Sequence, residues 1–160
     1  MAVEIERKWV ALAVPIEHLV GHGAALRQGY LARDGDVTLR LRIVGDGPGA
    51  SAVLTVKAGA GLARTEVDAG IAVTDAEQLW PLTAGRRIVK HRYTVPLDTG
   101  AVVEIDVYAG ELDGLCTVEV EFSSTAAAAA FTAPDWFGRE VTGDDRWSNA
   151  SLAEHGRPPA

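Results

Sequence analysis

The chain has a single cysteine, Cys116, so it can form neither an intramolecular disulfide nor a cysteine-rich zinc site. Histidine is scarce too. His18, His22, His91 and His155 lack the spacing of a zinc-protease helix and read as surface or hydrogen-bonded side chains. Long apolar runs are missing: the longest stretch without a charge goes from Phe122 to Pro134, short of the about 20 residues that span a bilayer. No basic, apolar, small-residue series opens the chain as a secretory signal would. There is no G-x-x-x-x-G-K-[ST] phosphate loop, and Gly45-Asp46-Gly47-Pro48-Gly49 reads as a hairpin turn. Positive charge is not in excess either; the net charge of −7 argues against a nucleic-acid partner held by bulk electrostatics. Together these absences lead to an expectation of a cytoplasmic protein without nucleic-acid or membrane partners. A length of 160 residues predicts a single domain over 1–160, with room for a proper core.

Lysine is the last shortage, with Lys8, Lys57 and Lys90 set against twelve arginines. What is plentiful is short apolar-polar alternation. Strands are predicted over Val3–Val10, Leu26–Ala32, Val37–Val44, Ala52–Ala58, Ala63–Ile71, Arg86–Val95, Ala101–Tyr108 and Thr117–Phe122. Short helices are predicted over Asp75–Leu82, over Ala126–Ala130 behind the capping residues Ser123, Ser124 and Thr125, and from about Ser148 to His155. The fold class that follows is mainly β (α+β): an eight-stranded closed antiparallel β-barrel with a few short outer helices and a C-terminal helix. Such a barrel has an interior that just holds side chains or one ligand.

Residues two apart on a strand share a face. On that rule Glu4, Glu6 and Lys8 oppose Ile5 and Trp9, and Arg40 and Arg42 oppose Leu39, Leu41 and Ile43. Lys57 opposes Leu54 and Val56, while Arg64, Glu66 and Asp68 oppose Val67. Lys90 and Arg92 share a face with Ile88, Glu104 and Asp106 oppose Ile105, and Glu119 and Glu121 oppose Val118 and Val120. One wet and one dry face would produce the same alternation on any single strand. Here, however, the polar face is dense in Arg, Lys, Glu and Asp, and neighbouring strands are segregated by sign. Like charges on adjacent strands repel. A divalent cation on carboxylate oxygens would neutralise them, and the basic strands would suit a polyanion. The pattern points to a metal-bound polyphosphate.

The opening Glu4-Ile5-Glu6-Arg7-Lys8 resembles the E-x-E-x-K signature of the CYTH superfamily, the triphosphate tunnel metalloenzymes. Leu26 to Leu31 resembles the second strand of its small bacterial members, Leu39-Arg40-Leu41-Arg42 their R-x-R strand, and Leu54-Thr55-Val56-Lys57 their T-x-K strand. Gly85 to Tyr93 is similar to their K-x-R strand, Glu104-Ile105-Asp106 to E-x-D, and Glu119-Val120-Glu121 to E-x-E. Trp136 to Thr142 and Arg146 to Asn149 resemble their C-terminal segment. The resemblance runs in order along nearly the whole chain. It implies a barrel open at both ends, a charged lumen that binds triphosphate, and dependence on Mg²⁺ or Mn²⁺. The activity implied is hydrolysis of inorganic tripolyphosphate. The alternatives are thiamine or nucleoside triphosphatase, class IV-type adenylate cyclase and, in another class, a non-catalytic polyphosphate- or nucleotide-binding protein. A monomer or homodimer is expected.

On this reading Glu4, Glu6, Glu119 and Glu121 hold metal, with Glu104 and Asp106 as further ligands or behind them. Lys8, Arg40, Arg42, Lys57, Lys90 and Arg92 grip phosphates, Arg64 and Arg86 join them more weakly, and Tyr30 caps the substrate or packs. Phosphoryl transfer asks for positioning and charge stabilisation rather than a nucleophilic side chain. The expected catalytic set is Glu4, Glu6, Lys8, Lys57 and Lys90, with Glu4 or Glu6 accepting the water's proton. Glu66 and Asp68 are expected to pair with Arg64, Cys116 to fill apolar space, and Trp80, Trp136 and Trp147 to staple outer helices to the barrel. Glu77, Glu111 and Glu154 read as surface charges, and Asp145 beside Arg146 departs from a basic rim near the C-terminal helix.

Overall fold

A ribbon with one apolar and one charged face can bury the apolar face inside a closed barrel or beneath covering segments outside it. This chain takes the second course. The computed structural model describes residues 2–19, 21, 23–59 and 62–159. Strands β1 (Ala2–Val10), β2 (Ala24–Asp34), β3 (Val37–Val44), β4 (Ser51–Ala58), β5 (Ala63–Ile71), β6 (Arg87–Pro96), β7 (Val102–Ala109) and β8 (Cys116–Glu121) pair antiparallel in the order β5-β4-β3-β2-β6-β7-β8-β1. Pairing of β1 with β5 closes the ring. Each strand end lies within two residues of its predicted position. A ninth strand that alternation did not reveal, β9 (Arg139–Glu140), adds to the end of β1. The prediction of eight strands in a closed barrel therefore holds, and β9 is an appendage outside the ring.

Helix α1 (Val73–Leu79) continues into a 3-10 turn at Trp80–Thr83. Together they cover the outward Leu41, Ile43 and Ala52. Helix α2 (Thr125–Ala130) starts where expected, with the Ser124 hydroxyl accepting from the Ala127 N–H. Phe131, Trp136 and Phe137 then cover the outward faces of Trp9, Val103, Ile105, Val118 and Val120. Burying such side chains contributes about 1.5–3 kcal/mol each, so the outer layer holds the barrel shut while its interior stays polar. Cys116 fills apolar space in this layer as expected. Helix α3 (Asn149–His155) begins one residue later than expected, capped by Ser148. His22 lies outside the described residues.

The C-terminal segment departs most from the expected tube. Gly138 has φ 80°, and a Cβ there would sit 2.3 Å from the Val10 carbonyl oxygen, so only glycine lets the chain press onto β1. Beyond it the Val141 N–H donates to the Lys8 carbonyl at 2.8 Å. Val141, Trp147 and Leu152 then pack on Val10, Ile88 and Tyr108, roofing one side of one mouth. The C-terminal segment thus narrows the mouth at this end. Trp147 accordingly packs over the lumen, whereas Trp80 and Trp136 staple the outside as predicted. Among the described residues no helix is long and apolar enough to cross a membrane.

Candidate active site

The closed ring turns the charged faces inward onto one cavity of about 360 Å³. Glu4, Glu6 and Lys8 reach it from β1, Tyr30 from β2, Arg40 and Arg42 from β3, and Lys57 from β4. Arg64 and Glu66 line it from β5, Arg92 from β6, Glu104 from β7, and Glu119 and Glu121 from β8. Thirteen residues sharing two-residue spacing on separate strands meet because the barrel's curvature aims every inward face at one axis.

The charges pair across strands. Lys57 Nζ bridges Glu4 and Glu66, at 2.8 Å from each. Arg64 binds Glu6 and lies 3.5 Å from Glu4. Lys8 is 2.9 Å from Glu119. Arg92 spans Glu104, Asp106 and Glu119. Glu104 stands directly opposite Glu119, and Glu6 opposite Glu121, so the sign segregation read from the sequence is real. In this structure arginine and lysine from other strands reach across to these carboxylates. Burial pushes the Glu119 carboxyl upward, but Lys8 and Arg92 outweigh it and hold the group well below the usual range. Arg42, pressed by burial and by Arg40 and Arg92, is brought down to about 10.

Of the expected site residues, Lys90 and Arg86 sit away from the cavity, while Asp106 and Tyr30 each take the second of their two expected places, behind the lining and packed in the wall. Lys90 and Asp106 are buried behind the lining, 2.5 Å apart, and neither borders the cavity. Burial brings Lys90 down to about 7, against the pull of Asp106. Arg86 donates to the Leu82 carbonyl at 3.2 Å, away from the cavity. Tyr30 is almost fully buried at the wall, its hydroxyl accepting from Gln28 Nε2 at 3.2 Å. Nor do Glu66 and Asp68 pair with Arg64. Glu66 takes Lys57, while Asp68 accepts from the Thr55 hydroxyl at 2.5 Å, and that hydroxyl in turn accepts from Arg40.

Arg33, residues 141–145 and residues 147–150 also line the cavity, which strand alternation does not predict. Up to Tyr30 the inward residues of β2 are even-numbered, but register slips at Leu31, so Ala32 stands opposite Leu39 and Arg33 opposite Thr38. This bulge turns Arg33 inward. Nothing in the local sequence marks it. Glu154, expected as a surface charge, is only 22% exposed and accepts from Arg33 at 3.3 Å.

The donor set fits a hard divalent cation. Glu4 is pushed up to about 7 by burial and then by the charge of Glu6, and burial with Glu119 also raises Glu104. A cation would relieve both. Among the described residues no three His, Cys, Asp or Glu form a ready-made metal cage.

An antiparallel barrel with an apolar, covered outside and a basic-acidic lumen defines the triphosphate-tunnel class. No family model matches the chain. It is 47% identical over 151 residues to an inorganic triphosphatase of Nitrosomonas europaea, covering 94% of this chain and 96% of that one. It is 34% identical over 157 residues to an inorganic triphosphatase of Acetivibrio thermocellus, covering 97% and 96%. A crystal structure of an inorganic triphosphatase superposes with a TM-score of 0.70 at 42% identity, covering 99% of each chain. The chain belongs to the CYTH superfamily, among its small bacterial inorganic triphosphatases.

Proposed function

We propose that this protein is a divalent-cation-dependent hydrolase that cleaves inorganic tripolyphosphate to pyrophosphate and phosphate. One observation carries the reading. Arg40, Arg42 and Arg64 converge on the cavity, and each has a buried Nε–H without a protein partner. Buried donors left unpaired are costly, and a polyanion would satisfy them. Lys8, Lys57 and Arg92 stand on the same cavity. The names of the two relatives support the same substrate.

Glu4 and Glu6 would hold Mg²⁺ or Mn²⁺, with Glu119 and Glu121 completing the acidic side and Glu104 behind them. Bound there, the cation neutralises phosphate oxygens and acidifies water. The six basic side chains would grip the phosphate chain and stabilise charge as the terminal P–O–P bond breaks. Water attacks the terminal phosphorus, pyrophosphate leaves, and a proton must be taken up. Glu4 or Glu6, whichever carboxylate oxygen the cation leaves free, would accept that proton. Lys90 and Asp106 then act through Arg92 rather than by touching substrate. Tyr30 is a wall residue. A small-molecule substrate, a single domain over 1–160, a cytoplasmic location and a monomer or homodimer complete the proposal.

The test is phosphate release from tripolyphosphate, thiamine triphosphate and ATP, each with Mg²⁺ or Mn²⁺, alongside a cyclic AMP assay. Preference for tripolyphosphate, abolished by EDTA and without cyclic product, supports the proposal. Cyclic AMP formation, or no turnover with either cation, overturns it.

A further inference from the structure

The tunnel shares one wall with a second, outer cavity of about 740 Å³: Arg33, Gly35, Asp144 and Asp145 border both. Arg33 holds this wall. Its Nη2 donates to Asp145 at 2.7 Å, and its Nη1 donates to the Ser151 hydroxyl at 3.2 Å and to Glu154 at 3.3 Å. The Ser151 hydroxyl donates in turn to the same Asp145 oxygen at 3.1 Å. One guanidinium from β2 thus ties down both the loop before α3 and α3 itself, the segment that roofs the mouth. The Arg33 and Glu154 side chains are only 21% and 22% exposed, so water screens this contact less than an ordinary surface pair.

We infer that Arg33 is a specificity-determining residue, which by closing this wall excludes triphosphates that carry an organic group at this end of the tunnel. The inference rests on the proposed phosphate-binding role of the tunnel. A linear inorganic triphosphate ends in bare phosphoryl groups and needs no space beyond the basic side chains. An organic triphosphate must send its substituent out through a mouth. On this side Arg33 and Asp145 stand between the tunnel and the outer cavity, which is of a size that takes small-molecule ligands. Opening the wall joins the two cavities. Arg33 touches neither the proposed cation ligands nor the proposed phosphate-gripping residues in the hydrogen bonds and ion pairs of this structure, so its effect falls on access.

The test measures kcat and KM for tripolyphosphate and for ATP in the full chain and in Arg33→Ala and Asp145→Asn. The ratio of kcat/KM for ATP to that for tripolyphosphate is expected to rise about tenfold in Arg33→Ala, through a lower KM for ATP. General loosening of the fold would instead lower kcat for both substrates. Asp145 has a side chain 71% exposed, so its variant keeps the test available if Arg33→Ala does not fold. Calorimetric binding of tripolyphosphate and of AMPPNP, a non-hydrolysed ATP analogue, reads the same wall without turnover. Inactivity of the wild type would therefore sink the proposed function and leave this inference to be decided by binding. A shift of less than threefold toward the nucleotide, in both variants and by both measurements, overturns the inference; a larger one supports it.

Discussion

Replacing Asp106 with Asn leaves two cations facing a neutral amide inside the barrel. Asp106 is 1% exposed, and its carboxylate accepts from Lys90 Nζ at 2.5 Å and from Arg92 Nε and Nη2 at 2.7 Å each. Lys90 is fully buried. Asn retains one acceptor oxygen but presents an NH₂ group to donors on the other side. Removing one partner of a buried ionic group typically costs about 3–5 kcal/mol. In a chain of this length each kcal/mol shifts Tm by about 2–4 °C, so a loss on the order of 10 °C is expected. Lys90→Met should cost less, because it removes the buried charge together with its desolvation and leaves Asp106 paired with Arg92. Urea titration and thermal melts at pH 6, where Lys90 carries its charge, measure both. An Asp106→Asn loss below about 1 kcal/mol would refute the reasoning, since the carboxylate would then not be what holds the two cations inside.

Three further outcomes follow from the same geometry. Lys57→Ala should lower tripolyphosphate turnover about 100-fold, in the range for loss of one electrostatic stabiliser; phosphate release at wild-type rate from a folded variant would remove Lys57 from the site. Glu4, raised to about 7 by burial and then by Glu6, is neutral below that pH. Calorimetry should therefore show Mg²⁺ affinity weakening as pH falls through about 7, and a flat profile from pH 5 to 8 would contradict the assignment. Its effect on stability has the opposite sense: for a carboxyl raised in the folded state, the contribution is fully present below the ordinary value of 4.5 and is lost as pH rises through about 7. The Cys116 thiol is pushed up to about 12 by burial and then by Asp106, so a colorimetric thiol reagent at pH 8 should react only after unfolding. Rapid stoichiometric labelling of the native protein would be the contrary result.

Much of the barrel could be read locally because strand geometry is local. Glu4, Glu6 and Lys8 share a face whatever β1 pairs with, and the same holds for Arg40 with Arg42 and for Glu119 with Glu121. Their common destination could be inferred because every strand carried the same kind of polar face. Failures came where something other than alternation decided the outcome. Arg33 follows a register slip at Leu31 that depends on how β2 pairs with β3. Lys90 and Arg92 sit on one face, yet Arg92 borders the cavity and Lys90 is sealed in, because Tyr108 stands opposite Lys90 and the C-terminal segment packs over that end. β9 is two residues long, too short to alternate.

The sequence alone determined the strands, the side on which each charge lies and the family, since these follow from residue order and period-two geometry. The tertiary structure decided which carboxylate meets which cation, which of the basic residues can touch a ligand, and that one mouth is roofed. Those outcomes depend on the curvature that brings side chains from distant strands within a few ångströms, and on a C-terminal segment whose path is set by the end of β1. Neither is encoded within any single stretch of the chain.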